Sequence, residues 1–344
     1  MDKTANNVTA DQAELRALLE QQSLVPLWEV YDKVVTREPS NEVPSHIWKW
    51  ADYSRPLKLT TRTVKGHDAD HRVLVLKNPN FGGRFASTNT IVGAVQCVMP
   101  GEKTRPHRHT PSAVRIVLES RGAATFVDGQ RCEMHDGDFV ITPNWTWHGH
   151  ENATDTPAIW VDLLDVPLNK ALNNVFGQMD PPNDYPETVG TLPDVLFESG
   201  GLMPATARTA GAYSPRFRYA AADVAKVLAA MPPEADGSRR VRYTNPLDGG
   251  PVVATIDAAM LQIAGGKPTQ RRRISATGLC VVLEGSGESR IGGVTHQWNA
   301  RDIFTLPEWA WVEHIAATPT ARMLVATDRQ VRERLGLWRE EIAA

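Results

Sequence analysis

Apolar and polar positions change rhythm three times along the chain. Over residues 11–35, Leu15, Leu18, Leu19, Val25, Leu27 and Val30 recur near helical spacing behind Asp11, a side chain suited to capping a helix N-terminus, so a helical start is predicted. The period of the aromatic segment that follows, Pro44-Ser45-His46-Ile47-Trp48-Lys49-Trp50, assigns it to neither helix nor strand. Next come short runs rich in Val, Ile, Leu, Phe and Thr, broken by Gly, Asp, Asn and Pro, which read as strands at 72–76, 91–99, 113–118, 123–127, 138–142 and 158–164. The stretch 169–248 loses that rhythm. Pro181-Pro182 and Gly200-Gly201 mark loops there, and 220–231 reads as one helix. Strands return at 252–256, 260–263, 279–283, 302–306 and 323–327, and 335–344 reads as a short closing helix.

The two strand-rich stretches repeat one another. Asp138-Phe139-Val140-Ile141-Thr142-Pro143-Asn144-Trp145-Thr146-Trp147 is matched by Asp302-Ile303-Phe304-Thr305-Leu306-Pro307-Glu308-Trp309-Ala310-Trp311, 164 positions later. Upstream, Val117-Leu118-Glu119 is matched by Val282-Leu283-Glu284, 165 positions later. Two ordered blocks at nearly constant offset predict a duplicated β-barrel. The organisation is therefore an N-terminal helical and aromatic segment (1–60), a first barrel (61–168), a connector (169–248) and a second barrel with a C-terminal helix (249–344).

Composition removes several function classes. The 344 residues carry 37 Lys and Arg against 40 Asp and Glu, a net charge of −3, which argues against nucleic-acid binding through bulk charge. No apolar run approaches the ~18 residues of a membrane span, and the polar start has no secretory apolar region. Cys97, Cys132 and Cys280 are scattered and odd in number, which predicts neither a disulfide scaffold nor a thiolate metal site and suits a cytoplasmic protein.

The first barrel holds the candidate chemistry. His107 and His109 stand two apart, as do His148 and His150, and residues i and i+2 of a strand share a face. Imidazoles converging from adjacent strands suit a divalent metal, with ligands drawn from His107, His109, His148 and His150. In the second copy Arg272, Ile274 and Val312 stand where the first has His107, His109 and His148, and only His314, the counterpart of His150, persists. That barrel is predicted to be metal-free. His46, His135 and His296 have no partners in the pattern and read as surface residues. Trp145 and Trp147, of opposite parity to the histidines, read as core or interface.

Gly101-x5-His107-x-His109 and Gly137-x5-Pro143-x-Trp145-x2-His148-x3-Asn152 resemble the two cupin motifs, with Trp145 where a Gly is usual. The Glu ligand that cupins usually add falls here on Ala113 or Val114, while Glu119 lies further on. The segments 107–115, 142–150 and 162–167, with Pro26-Leu27-Trp28, Ile47-Trp48-Lys49-Trp50, 72–79 and Gln96, resemble the gentisate/salicylate-type ring-cleaving dioxygenases. The resemblance implies an all-β-dominated bicupin, two double-stranded β-helix (jelly-roll) barrels with an N-terminal helical segment and a helical connector. It implies Fe(II) in the first barrel held by His107, His109 and His148, both atoms of O2 entering an aromatic hydroxy acid, and a homotetramer.

Site roles follow from parity and from the resemblance together. Arg115 shares odd parity with Ala113 and Val117. If that face is inward, its guanidinium needs an anion, naturally the substrate carboxylate; the competing reading is an Arg on the outer face. At family positions, His150 is expected to touch substrate or oxygen, Asp162 to orient an imidazole, and Gln96 to lie near substrate or oxygen. The alternatives are a buried His bonded to a carbonyl, an ordinary strand-end Asp and an exposed amide. Where the family often has Arg-Arg, this chain has His71-Arg72, both expected to bind substrate, and His67 stands where some relatives carry Arg. A His in place of a fixed fork of donors points away from gentisate alone, toward a 5-substituted salicylate such as 5-nitrosalicylate or a hydroxynaphthoate. Two other readings remain: a non-enzymatic bicupin that binds an aromatic acid or sugar, and a cupin enzyme of other chemistry (an isomerase or a flavonol-type dioxygenase).

Overall fold

The computed structural model describes residues 3–39, 43–65, 70, 72–181, 197 and 212–343, with backbone only for 3–8. His67 and His71 lie outside the described residues. Residues 1–40 form one unit and 41–344 another.

The first unit is helical, at Lys3–Gln21 and Leu27–Val34. Asp11 therefore sits inside the first helix, contrary to its expected capping place. The expected single run breaks because Ser23 takes a left-handed φ of 54° and Pro26, without an N–H and with a fixed φ, restarts the chain as the second helix's N-cap.

The second unit is dominated by antiparallel sheet. One barrel faces a six-stranded sheet, in the order Arg218–Tyr219, Phe139–Thr142, Ala113–Glu119, Ala158–Leu164, Val92–Val98 and Val73–Leu76, against five strands: Gly177–Met179, His107–His109, His148–Glu151, Arg121–Val127 and Gln130–His135. The other repeats the plan. Its six strands are Ile47–Trp48, Ile303–Leu306, Gly278–Glu284, Thr320–Thr327, Asp257–Ala264 and Arg239–Arg242; its five are Val294–Asn299, Ser286–Ile291, Val312–Ala316, Arg272–Ile274 and Glu340–Ile342. This is the bicupin arrangement.

Segments outside the repeat complete both barrels. Ile47–Trp48 pairs with Phe304 and Ile303 of the later barrel, and from the connector stretch Arg218–Tyr219 pairs with Val140 and Phe139 while Arg239–Arg242 pairs with Gln262–Ala259. Ile47–Trp48 is too short, and the two Arg-containing segments too polar, to announce themselves as strands; a neighbour's open edge makes them so. Trp50–Thr63 and Ala221–Ala230 are helices that bury Tyr53, Leu57, Val224 and Leu228. A large core cluster runs from the first barrel into the second, and a smaller one around Trp298 and Phe304 fills the second barrel.

Two expected elements differ. Residues 252–256 form no strand, although Val252, Val253 and Ile256 are fully buried: burial rather than sheet pairing explains their apolar character. The C-terminal helix is Arg329–Arg334, ending before Gly336 (φ 72°), and Glu340–Ile342 is a strand against Ile274–Arg272. The left-handed Gly stops the helix, and Glu341 pairs with Arg273 at 2.7 Å.

The repeat extends to an unusual backbone. Trp145 and Trp309 both have positive φ, 61° and 55°, where Gly is the default. Arg108 lies 4.4 Å over Trp145 and 4.7 Å over Trp147, and Arg273 lies 4.4 Å over Trp309 and 5.0 Å over Trp311. The stacked cation offsets part of the strain at each turn. His135 is exposed beside Glu133, but His46 and His296 are half-buried, against Trp48 and Ser45 Oγ (2.7 Å) respectively. The three cysteines are free and buried, and among the described residues no helix is long and apolar enough to cross a membrane.

Candidate metal centre and its surroundings

Alternation along the strand His107–His109 puts both imidazoles on one face. In the neighbouring strand His148 sits directly opposite His107. The three rings therefore meet, with centroids 5.7, 4.3 and 4.7 Å apart, and one nitrogen from each lies within 4.8 Å of the others.

The hydrogen bonds of these rings fix their chemistry. His107 Nδ1 lies 3.2 Å from the Arg105 carbonyl, His109 Nδ1 2.7 Å from the Pro111 carbonyl and His148 Nδ1 2.9 Å from the Thr146 carbonyl. A carbonyl only accepts, so each ring carries its proton on Nδ1 and its lone pair on Nε2, the tautomer a metal needs. Burial holds the His109 pKa below its usual value. Burial, then the neighbouring His109 and His107, hold that of His148 well below. The donor set is three neutral nitrogens. Ala113 and Val114 are buried apolar residues, and Glu119 turns away to Arg301 at 3.1 Å. Three imidazoles without a carboxylate fit a mid-row divalent ion that keeps open positions.

Behind the histidines lies a buried polar network. Arg115, 3% exposed, takes the inward of the two faces left open by parity, but its partner is Asp162 (Nε to Oδ1, 2.8 Å). The substrate carboxylate expected there meets a guanidinium that already has a counter-ion. The other Asp162 oxygen accepts from Trp160 Nε1 at 2.9 Å. Asp162 therefore holds Arg115 and Trp160 rather than an imidazole, because those donors face it across and along the sheet. Arg115 also donates to Thr125 Oγ1, stacks 4.6 Å from Trp160, and has Nη1 3.2 Å from His150 Nδ1. His150 is buried, with Nδ1 3.0 Å from Thr125 Oγ1 and its backbone N–H donating to Thr104 Oγ1 at 2.8 Å. Burial, then Arg115, keeps His150 neutral. Gln96 is buried opposite Trp160 in the sheet, so it faces the same interior, and its amide makes no hydrogen bond to another described residue.

Arg72 does not reach this interior. It is 2% exposed, and its guanidinium bonds both oxygens of Glu102 and the carbonyls of Cys97 and Val64. Alternation explains the correction: Val73 shares the face of Gln96, so Arg72 takes the opposite one. Thr125 and Trp160 escaped the sequence reading. Trp160, two residues before Asp162, had a parity signal, whereas Thr125 is recognisable only once its strand lies against His150.

Register carries the comparison into the second barrel. Arg272 pairs with Val312 as His107 pairs with His148, and Cys280 pairs with Val325 as Arg115 pairs with Asp162. His314 remains, buried, with Nδ1 2.7 Å from Ser289 Oγ. Burial, then Arg240 and Arg272, push its pKa down to about 3. An unfolded chain has the usual His pKa of ~6.5. As pH falls below that value the unfolded state takes up the proton first, so stability is lost progressively toward pH 3. His314→Gln should abolish about 2 kcal/mol of the stability loss between pH 7.5 and 5. Urea unfolding at the two pH values checks this; equal losses in both proteins would refute it.

Residues 94–165 match the family model for the Cupin domain. The chain is 35% identical over 338 residues to gentisate 1,2 dioxygenase 1 of Aquipseudomonas alcaligenes, covering 97% of each. It is 29% identical over 348 residues to the 5-aminosalicylate 1,2-dioxygenase of a Comamonas species, covering 97% of this chain and 91% of that one. The solved structure of salicylate 1,2-dioxygenase from Pseudaminobacter salicylatoxidans is similar with a TM-score of 0.88 at 28% identity, over 96% of this chain and 97% of that one. End-to-end likeness to these enzymes accompanies a cluster of three imidazoles and no carboxylate, and the chain belongs to the gentisate/salicylate 1,2-dioxygenase family of bicupin ring-cleaving enzymes.

Proposed function

We propose that the protein is an iron(II)-dependent dioxygenase that opens the ring of a 2-hydroxybenzoate-type acid between its carboxyl-bearing and hydroxyl-bearing carbons. The carrying observation is the set of three neutral imidazoles, each held by a carbonyl so that its free nitrogen faces the others. His107, His109 and His148 hold the metal, in the barrel of residues 61–168, while 249–344 supplies its metal-free counterpart. When bound, ferrous iron supplies sites for the substrate's carboxylate and hydroxyl oxygens and for dioxygen.

The chain's own residues do the rest. The Arg115–Asp162 pair and Thr125 hold His150 in one orientation. His150, neutral and buried, is placed to hold the proton of the substrate hydroxyl at a ring nitrogen. Gln96 offers an amide to substrate or oxygen. The fully packed strands Val92–Val98 and Ala158–Leu164 close that side of the interior to water. The aromatic acids named for the relatives (gentisate, salicylate and 5-aminosalicylate) mark the substrate class. Gentisate, salicylate and 5-substituted salicylates such as 5-nitrosalicylate are the leading candidates, and we assign the protein to the cytoplasm as a homotetramer.

Oxygen uptake by iron-loaded protein with gentisate, salicylate, 5-nitrosalicylate and 1-hydroxy-2-naphthoate tests the activity. One O2 consumed per ring opened is expected for at least one of them. Uptake with none, at one iron per chain, refutes the proposal. The same panel tests His71, whose replacement in His71→Arg restores a fixed fork of donors. A change of one to two decades in relative rates is expected, from a charge-assisted bond of about 1.5–3 kcal/mol. Unchanged relative rates would remove His71 from substrate selection.

A further inference from the structure

The second barrel has not simply lost a metal site. Its interior contains a cavity of about 210 Å³ bounded by Arg240, Arg272 and His314, by Asp257 and Glu340, each already on another arginine, and by apolar residues including Ala259, Val312 and Val325. Register shows how the cavity arose. Arg240 pairs with Leu261 as Val73 pairs with Gln96, so an Arg projects inward where the first barrel has a Val. The ion pair Arg115–Asp162 is replaced by Cys280 and Val325, so no carboxylate stands at that place to balance the new cation.

Arg240 is left without a counter-ion. Its Nε is buried with no hydrogen-bond partner, and its guanidinium makes no hydrogen bond or ion pair with any described residue. The other cations on the wall are engaged: Arg242 with Asp257 at 2.5 Å, Arg329 with Glu333 at 2.7 Å, and Arg272 with Glu340 and Glu234 at 3.5 and 3.6 Å. Burial, then the neighbouring charge of Arg272, disfavour the cationic form of Arg240 and outweigh the more distant carboxylates Glu234 and Glu340, neither of which bonds it. A largely desolvated guanidinium with no direct anion partner among the described residues is costly to keep, and its planar fork matches one carboxylate.

His314 supplies a second donor. Ser289 Oγ accepts from Trp298 Nε1 at 2.8 Å, and His314 Nδ1, at 2.7 Å, is the acceptor within reach of its hydroxyl proton. The ring proton then sits on Nε2. Arg240 and His314 thus both ask for acceptors, while Ala259, Val312 and Val325 offer an apolar wall.

We propose that the second barrel is a binding site for a small organic monocarboxylate with an apolar body, its carboxylate on Arg240 and its body against Ala259, Val312 and Val325. The site is separate from the histidine cluster, and it stands whether or not the first barrel cleaves rings.

Benzoate is the probe, because it has the carboxylate and apolar ring but no hydroxyl. Calorimetric titration is done on full-length His109→Ile protein, whose metal centre is disabled, so that binding reports the other barrel. One benzoate per chain is expected, weakened at least tenfold by Arg240→Leu. Val312→Phe, which fills the cavity from the facing sheet and leaves Arg240 in place, should weaken it similarly, and this variant keeps the test decisive if Arg240→Leu fails to fold. In the otherwise wild-type protein, Arg240→Leu should leave the rate of ring cleavage unchanged. Absence of benzoate binding at millimolar concentration, or equal binding by the parent and both variants, overturns the proposal. Inorganic phosphate binding more tightly than benzoate overturns the assignment of an apolar ligand.

Discussion

His109→Ile should empty the metal centre and abolish ring cleavage while the protein stays folded. His109 contributes one of three nitrogens, and none of the described carboxylates joins the cluster to replace it. Loss of an outer-shell partner alone typically weakens metal binding by about 10–100-fold, so loss of a ligand should exceed that. Ile is chosen because the second barrel carries Ile274 in the matching strand, between the same kinds of neighbours. The fold has thus already accepted that side chain there. The cost in stability is confined to the Pro111 carbonyl, which loses the bond from His109 Nδ1, at about 1 kcal/mol. Metal analysis after anaerobic iron loading, with thermal unfolding alongside, checks the result. Iron near one per chain in the variant would remove His109 from the ligand set.

Asp162→Val alone should destabilise the protein by about 3–5 kcal/mol, whereas Asp162→Val combined with Arg115→Cys should recover most of that loss without recovering activity. Arg115 and Asp162 are 3% and 6% exposed, so removing the carboxylate strands a cation in the interior. Removing both leaves the Cys and Val that the second barrel carries at the same register positions, Cys280 and Val325. Activity should not return, because Arg115 also braces Thr125 and His150. Denaturant midpoints for the two single variants and the double variant form the cycle that measures the coupling. A double variant no more stable than Asp162→Val would show that the pair is not the source of the cost. Full activity in the double variant would take Arg115 out of the placement of His150.

These results bear on how the two barrels diverged. A shared backbone, down to two Trp residues at positive φ beneath a stacked Arg, carries opposite interiors. One has three neutral imidazoles and a closed ion pair. The other has an unpaired Arg beside a neutral His. A handful of side chains on matching strands separates them, and none of these substitutions disturbs the pairing of the sheets.

The sequence by itself determined the duplication and the face shared by two of the candidate metal ligands. The blocks around Asp138 and Asp302 recur at one offset, and a two-residue period fixes that His107 and His109 share a face; both are local facts of chain geometry. Parity placed Arg115 on one face with Ala113 and Val117, but both faces of that strand are buried from Ala113 to Leu118, so which of them looks into the barrel was left to the tertiary structure. The tertiary structure decided which partner each inward group meets. Asp162 turned out to hold Arg115 and Trp160 rather than an imidazole, and Arg72 turned out to lock Glu102 on the outside. The unclaimed charge of Arg240 also appears only when strands far apart in sequence lie side by side. Periodicity records which face a residue takes, but ion pairing and hydrogen bonding depend on distances across the sheet, and those are set only when the barrel closes.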